Sequence, residues 1–280
     1  MKSDQFTYSI SWRSKNYRYG NNLSSKIGND FEYSGSKNFN EHPDLTRIDI
    51  KNSITDPFEN IFVKTYNLNN PINLVALCDI SSSMFVNKKN GSVIKDLAKI
   101  IARSAVGQGD QFSMLCYNDL IKKNFLLEPS DNLRYIDKSI DEILFDSNTS
   151  SSEGIKEINK HLPEEKSLIF WISDFHLSLD EIEKILNQLS SHHVIPLFIS
   201  SEAEIKKLPK YGFRKFIDSE LNLDYEVFLR PRIKEKLLLD YNDTKEKISR
   251  IFSKKQLKQI VVDERIDIEE IQKYFMSIFI

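Results

Sequence analysis

Apolar positions along the chain fall into two alternating kinds of stretch. Residues 72–78, 111–117, 168–172 and 193–199 are short runs of branched and aromatic side chains with almost no polar interruption. This is the pattern of strands covered on both faces, as in a parallel sheet. Between them the apolar spacing becomes helical: residues 92–106 set Val93, Leu97, Ile100, Ile101 and Ala105 on one face, and Gly107 and Gly109 stop the helix. Further helices are expected over residues 133–144, 155–162, 179–189, 231–252 and 268–279, with Pro231 suited to a first helical turn and a short strand at 259–262. Residues 121–127 read as the hairpin partner of 111–117, joined through Asn118-Asp119. Pro196 removes a ladder donor, which places the strand 193–199 near an edge or at a bulge. Strands alternating with helices predict an α/β fold with a doubly wound, mostly parallel sheet.

The first 70 residues differ from the rest. They are rich in Asn, Ser, Tyr and Lys, with Gly20, Gly28 and Gly35 punctuating short segments. The expectation is an irregular N-terminal extension over 1–70, with short strands such as 8–12 and 61–66, packed on a main domain over 71–280. No internal repeat or low-complexity linker interrupts the main domain.

Composition narrows the function classes. In 280 residues, 39 basic and 41 acidic side chains leave a formal charge of -2, which gives no global electrostatic case for nucleic acid. The Met-Lys-Ser-Asp start has no apolar core of a signal segment, and no run reaches the ~18 residues of a membrane span, so a cytoplasmic protein is expected. Cys78 and Cys116 both fall in expected buried strands and read as core packing.

The candidate chemistry lies where two of the buried runs end. The first is followed by Asp79, Ser81 and Ser83; at alternate positions in an extended exit, one carboxylate and two hydroxyls share a side and form an oxygen-only cradle suited to magnesium. A Ser-rich turn after a strand has the same composition, so a second loop must decide. Residues 168–172 supply it, ending in Ser173 and Asp174, and in an open α/β sheet such strand exits meet at one crevice. The loop 148–152, with Thr149, adds a third set of hydroxyls. His192 and His193 are adjacent on a strand and point to opposite faces, which argues against joint ligation, while His176 reads as a polar loop residue.

Asp79-Ile80-Ser81-Ser82-Ser83, a later Thr149 and then Ser173-Asp174 resemble the metal-ion-dependent adhesion site of von Willebrand factor A domains. Asp44-Leu45-Thr46-Arg47-Ile48-Asp49, Val63-Lys64-Thr65-Tyr66, Ser173-Asp174-Phe175, Leu208-Pro209, Gly212 and Asp218-Ser219-Glu220, in that order, resemble the bacterial domain-of-unknown-function family 58. Ile50 stands where that family usually has Trp, and His42 and Pro43 where Gly and Asp are common.

The resemblance implies a Rossmann-like sheet with one antiparallel edge strand. It also implies Mg²⁺, with Mn²⁺ as the alternative ion, held by Asp79, Ser81, Ser83 and Thr149, and by Asp174 through water. The last position would go to an Asp or Glu of a partner protein. In this family the partner is expected in a MoxR-type AAA+ ATPase system, as the ATPase or its client, which makes the chain an adaptor in assembly or remodelling. A magnesium-dependent phosphatase of the haloacid dehalogenase type is the alternative. It needs a second Asp two residues after the nucleophile as general acid, and Ser81 stands there, so no enzyme is expected. A structural α/β protein with a degenerate metal site is the third reading.

Overall fold

The computed structural model describes residues 5–10, 31–41, 43–68, 71–85, 88–143, 153–218, 223–263 and 266–278. The chain divides into two units, Ile10–Pro71 and a larger one made of Met1–Ser9 with Ile72–Ile280. In the smaller unit, β1 (Phe31–Asn38) pairs antiparallel with β2 (Phe62–Leu68), and the register shifts between Tyr33 and Gly35. Between the strands lies α1 (Ile50–Thr55), which is capped by Asp49: its carboxylate accepts from the Asn52 N–H at 3.2 Å and from the Ser36 hydroxyl. Arg47 pairs with Asp44 at 3.5 Å.

The larger unit opens with β3 (Asn73–Asp79), α2 (Lys88–Gly107), β4 (Gln111–Tyr117), β5 (Leu127–Ser130) and α3 (Leu133–Asp141). It continues through β6 (Leu168–Ser173), α4 (Leu179–Gln188), β7 (His193–Ile199) and α5 (Glu202–Lys207). A hairpin of β8 (Gly212–Asp218) and β9 (Leu223–Leu229) precedes α6 (Pro231–Lys254), β10 (Ile260–Val262) and α7 (Ile268–Ile278). The main sheet has the order β10-β7-β6-β3-β4-β5; all its neighbours run parallel except β4 and β5. The fold is thus an α/β sheet with one antiparallel edge strand.

Both faces of this sheet are covered, which is why its strands read as unbroken apolar runs. On one face Val75, Leu77, Ile169 and Trp171 pack with Ile182, Ile185 and Leu186 of α4 and Ile248, Ile251 and Phe252 of α6. On the other, Phe170 meets Phe6 at 5.8 Å between ring centroids, and Phe6 stacks on Phe275 of α7 at 5.6 Å. Each fully buried side chain of this size contributes about 1.5–3 kcal/mol. Among the described residues no helix is long and apolar enough to cross a membrane.

Several elements depart from the expectation. Residues 121–127 do not form the hairpin strand: Ile121 makes one isolated bridge with Tyr117, Lys123–Phe125 is a short 3₁₀ turn, and the antiparallel edge is β5. Lys123 and Asn124 are exposed, Lys122 pairs with Asp119 at 3.3 Å, and sheet pairing resumes only at Leu127, whose side chain is buried. Pro129 is tolerated in β5 because that strand is the sheet's last. Residues 153–160 are 3₁₀ and not α-helical. Residues 8–10 carry no strand, and 11–12 lie outside the described residues. The hairpin β8–β9 and strand β1 were not anticipated. Pro196 lies in β7, second from the edge, at a level where β7 pairs with β6 only, since β10 pairs from Leu197 onward.

Candidate metal centre

Register brings the two acid-bearing exits together. β3 pairs with β6 up to Cys78↔Ile172 and with β4 up to Asp79↔Tyr117, so Asp79, Ser173 and Tyr117 sit at one level on the carboxyl edge of the sheet. Asp79 is the last residue of β3 and is buried, not part of an open loop. Its Oδ1 accepts from the Ser81 N–H at 2.9 Å and its Oδ2 from the Ser173 hydroxyl at 2.8 Å. Ile80 and Met84, both buried, anchor the loop from beneath, and the Met84 N–H closes it on the Ser81 carbonyl at 3.1 Å.

Ser81 and Ser83 come together by a different device from the one expected. Two residues apart on a strand lie roughly 6.5 Å apart along the chain. Here Ser82–Phe85 forms a 3₁₀ turn, and the Ser81 and Ser83 hydroxyl oxygens lie 3.1 Å from each other. Asp174 follows Ser173 and is half-buried; its Oδ1 accepts from the His176 N–H at 3.1 Å. Thr149 lies outside the described residues.

Sequence reasoning missed the supports. Phe175 has a left-handed backbone at φ 53°, where a bulky residue costs on the order of 1–2 kcal/mol. It is held there by burial against Trp171, Phe198 and Phe252, and by its N–H donating to the Ser173 hydroxyl oxygen at 2.8 Å. That bend turns the chain immediately after Asp174. Tyr117 is buried beside the site, its hydroxyl accepting from Trp171 Nε1 at 2.8 Å. Burial, then the Asp79 charge, push its pKa up. The signal for both was the aromatic residue ending or following each buried run.

Electrostatics mark Asp79. Its pKa is pushed up to about 6, first by burial and then by the neighbouring Asp174 charge, against the lowering effect of bonds from Ser81 and Ser173. A carboxylate so placed is relieved by a cation. Among the described residues no three His, Cys, Asp or Glu side chains cluster, so ligation there needs hydroxyl oxygens, which suits a hard ion such as Mg²⁺ or Mn²⁺ and not a soft one. The Ser82 hydroxyl oxygen in the same loop is buried with no partner among the described residues. Asp79, Ser81, Ser83 and Asp174 therefore fit a divalent cation by chemistry and by charge.

The histidines and cysteines are placed elsewhere. His176 is exposed, and His192 accepts through Nδ1 from the Ser167 N–H at 3.2 Å at the opposite, amino edge. Burial and Lys166 lower the pKa of both His192 and His193. Cys78 and Cys116 are buried register neighbours and free; the Cys116 hydrogen bond and burial push the Cys78 thiol up.

A parallel α/β sheet with an antiparallel edge, carrying this Asp-x-Ser-x-Ser exit beside Asp174, is the architecture that the resemblance to von Willebrand factor A domains implies. A family model described as "Protein of unknown function DUF58" matches residues 43–246, and the chain belongs to that family. Comparison with curated proteins finds no match. Among solved structures the chain is similar to proximal thread matrix protein 1 from the mussel byssus with a zinc-occupied MIDAS motif, at 18% identity over 64% of this chain and 47% of that one, TM-score 0.39. It is also similar to the conserved hypothetical protein BatB from Bacteroides thetaiotaomicron, at 12% identity over 72% of this chain and 98% of that one, TM-score 0.42. A third is the SpRpn10 VWA domain, at 8% identity over 73% and 94%, TM-score 0.40. The chain spans 41% to 47% of the length of the mussel protein.

Proposed function

We propose that this chain is a metal-dependent protein-binding adaptor of the cytoplasm. Its partner supplies an Asp or Glu to a Mg²⁺ or Mn²⁺ ion held by Asp79, Ser81, Ser83 and Thr149, with Asp174 assisting through water. The observation that carries the reading is the buried Asp79 carboxylate, pushed up to about 6, next to paired hydroxyls 3.1 Å apart. When bound, the ion supplies positive charge that the neutral hydroxyls leave largely uncompensated, and this favours an anionic sixth ligand. Ser173 and the Ser81 N–H orient the Asp79 carboxylate, and the Phe175 bend sets Asp174 beside it. Asp79 acts here as a ligand and not as a nucleophile. Family membership supports a partner in a MoxR-type AAA+ ATPase system, as the ATPase or its client, and hence a role in assembly or remodelling of a partner complex.

Calorimetric titration with Mn²⁺ tests the core of this reading, followed by binding to a MoxR-type ATPase in magnesium and in chelator. The parent should bind Mn²⁺ and Asp79→Asn should not. Equal Mn²⁺ affinity in the two proteins, or an ATPase complex indifferent to both chelator and Asp79→Asn, would sink it.

A further inference from the structure

The chain's slightly acidic balance hides one basic region. Residues 206–215 hold five Lys or Arg and no acid, and residues 228–236 hold four with one acid. Both stretches meet at the base of the β8–β9 hairpin, where Gly212 pairs with Leu229 and Phe213 with Phe228. The pleat then divides the hairpin's side chains. Leu229 is wholly buried, whereas Phe213 is 73% exposed and Phe228 39%, and these two rings meet edge to face at 4.9 Å. Tyr211, 66% exposed, lies two residues before Phe213, and the Arg230 guanidinium lies over the Phe228 ring at 5.8 Å. Lys210 and Arg232 are exposed on the two chain ends at the base and have no ion-pair partner among the described residues.

Topology puts this surface on the metal-site side of the sheet. β7 runs to the carboxyl edge, and α6 runs back to reach β10, which is parallel to β7, so everything from Ser200 to Arg230 is attached at that edge. The Tyr241 hydroxyl bonds Ser200 at 3.1 Å and accepts from the Ser201 N–H at 3.2 Å, which sets the middle of α6 level with the edge. The ten residues of α6 before Tyr241 therefore extend roughly 15 Å beyond the rim. Lys234 ties that projecting end to the α5–β8 segment by donating to the carbonyls of Lys206 at 2.6 Å and Leu208 at 2.7 Å.

We propose that the exposed base of the β8–β9 hairpin, around Phe213 and Phe228 and short of the exposed Glu226 further along the same face, is a second docking surface, which takes an acidic segment of the partner protein with an apolar side chain at its centre. The apolar group packs on Phe213 and Phe228 while its neighbouring carboxylates meet Lys210, Arg230 and Arg232, so that desolvated aromatics supply affinity and the basic rim supplies orientation. The rings stand at 62° to one another and offer no flat platform for stacked bases, and the whole chain carries a charge of -2, which disfavours long polyanions. This proposal rests on the reading of the molecule as a protein-binding module, but not on the metal.

Fluorescence anisotropy of the full chain tests it, with a short labelled peptide of glutamates around one leucine and a matched peptide with glutamine in place of every glutamate. Phe213→Ser with Phe228→Ser, and separately Arg230→Glu with Arg232→Glu, alter exposed side chains only; acids at the start of α6 suit its dipole, so folding is spared and circular dichroism checks it. The glutamate peptide should bind in chelator as well as in magnesium, and about tenfold more weakly to either double variant, as should the glutamine peptide to the parent. Absence of glutamate-peptide binding overturns the proposal, as does binding that the hairpin variants leave unchanged. If that unchanged binding also vanishes in chelator, the metal reading survives alone. Tighter binding of a single-stranded oligonucleotide or of anionic lipid vesicles, lost in the same variants, assigns the face to those partners instead. Self-association abolished by the variants assigns it to a second copy.

Discussion

The carboxylate of Asp79 ends a strand closed to solvent on both faces, and a second acid stands beside it. Its pKa in the fold is about 6, above the ordinary 3.8 of the unfolded chain, so the folded state holds the proton more tightly. The linkage then has a definite sign. Stability from this group is fully present below about pH 4 and is lost as pH rises to about 6, by roughly 3 kcal/mol in all, and the loss persists above that. Other carboxylates with lowered pKa work the opposite way at acid pH, so the comparison must be with Asp79→Asn. In chelator, urea denaturation should show the variant gaining on the parent between about pH 4 and 6, and magnesium at pH 7.5 should stabilise the parent alone. Parallel pH curves for the two proteins would mean that the Asp79 charge is not borne in a dry site. The same residue shows what a sequence conceals. Asp79, Ser81, Ser83 and Asp174 stand out as oxygen donors after apolar runs, but which of them is buried depends on strands distant in sequence.

At the level of elements, the end of β4 and the 3₁₀ segment 153–160 are locked by one close approach. The Gly154 N–H donates to the Asn118 carbonyl at 2.8 Å, and a Cβ on Gly154 would lie 2.5 Å from the Leu120 carbonyl carbon. Backbone cannot yield as a flexible side chain does, so Gly154→Ala should destabilise the fold by about 1–3 kcal/mol in denaturant unfolding. An unchanged midpoint would show that the 118–121 turn is free to shift. β3, β4, β6 and β7 were legible because a strand buried on both faces must be apolar throughout, and α2, α4 and α6 because their helical spacing is long and regular. Less was legible where geometry comes from turns. Ser81 and Ser83 meet through a 3₁₀ turn that the alternating pattern mimics, and the left-handed bend at Phe175 is unmarked by any glycine. The β8–β9 hairpin escaped because the face with Phe213 and Phe228 is exposed and also carries Glu226, so its alternation does not set apolar against polar residues cleanly.

For the whole molecule, the least legible feature is the segment 5–9, which the composition assigns to an irregular extension and the contacts assign to the larger unit. The Phe6 N–H donates to Ser104 of α2 at 2.9 Å, the Thr7 N–H to Gln272 of α7 at 2.8 Å, and both Phe6 and Tyr8 pack on Phe275. The buried Asp110 carboxylate then takes the Tyr8 hydroxyl at one oxygen and the Ile72 N–H, at 3.0 Å, at the other. A single side chain thus holds the points where the chain leaves the larger unit and returns to it. Phe6→Ala should cost about 3–5 kcal/mol, the range for a buried aromatic. Tyr8→Phe should cost about 1.5–3 kcal/mol, the range for a hydrogen bond to a charged group. Domains are stable by only about 5–15 kcal/mol, so a chain beginning at residue 71 should unfold without a sharp transition. Adding a synthetic peptide of residues 1–10 should restore a cooperative melt to that shortened chain as its concentration rises, since a segment that binds only the folded form stabilises it by mass action. A shortened chain that melts as sharply and at the same temperature as the parent, whether or not the peptide is present, would show that Phe6 and Tyr8 lie on a core already complete without them.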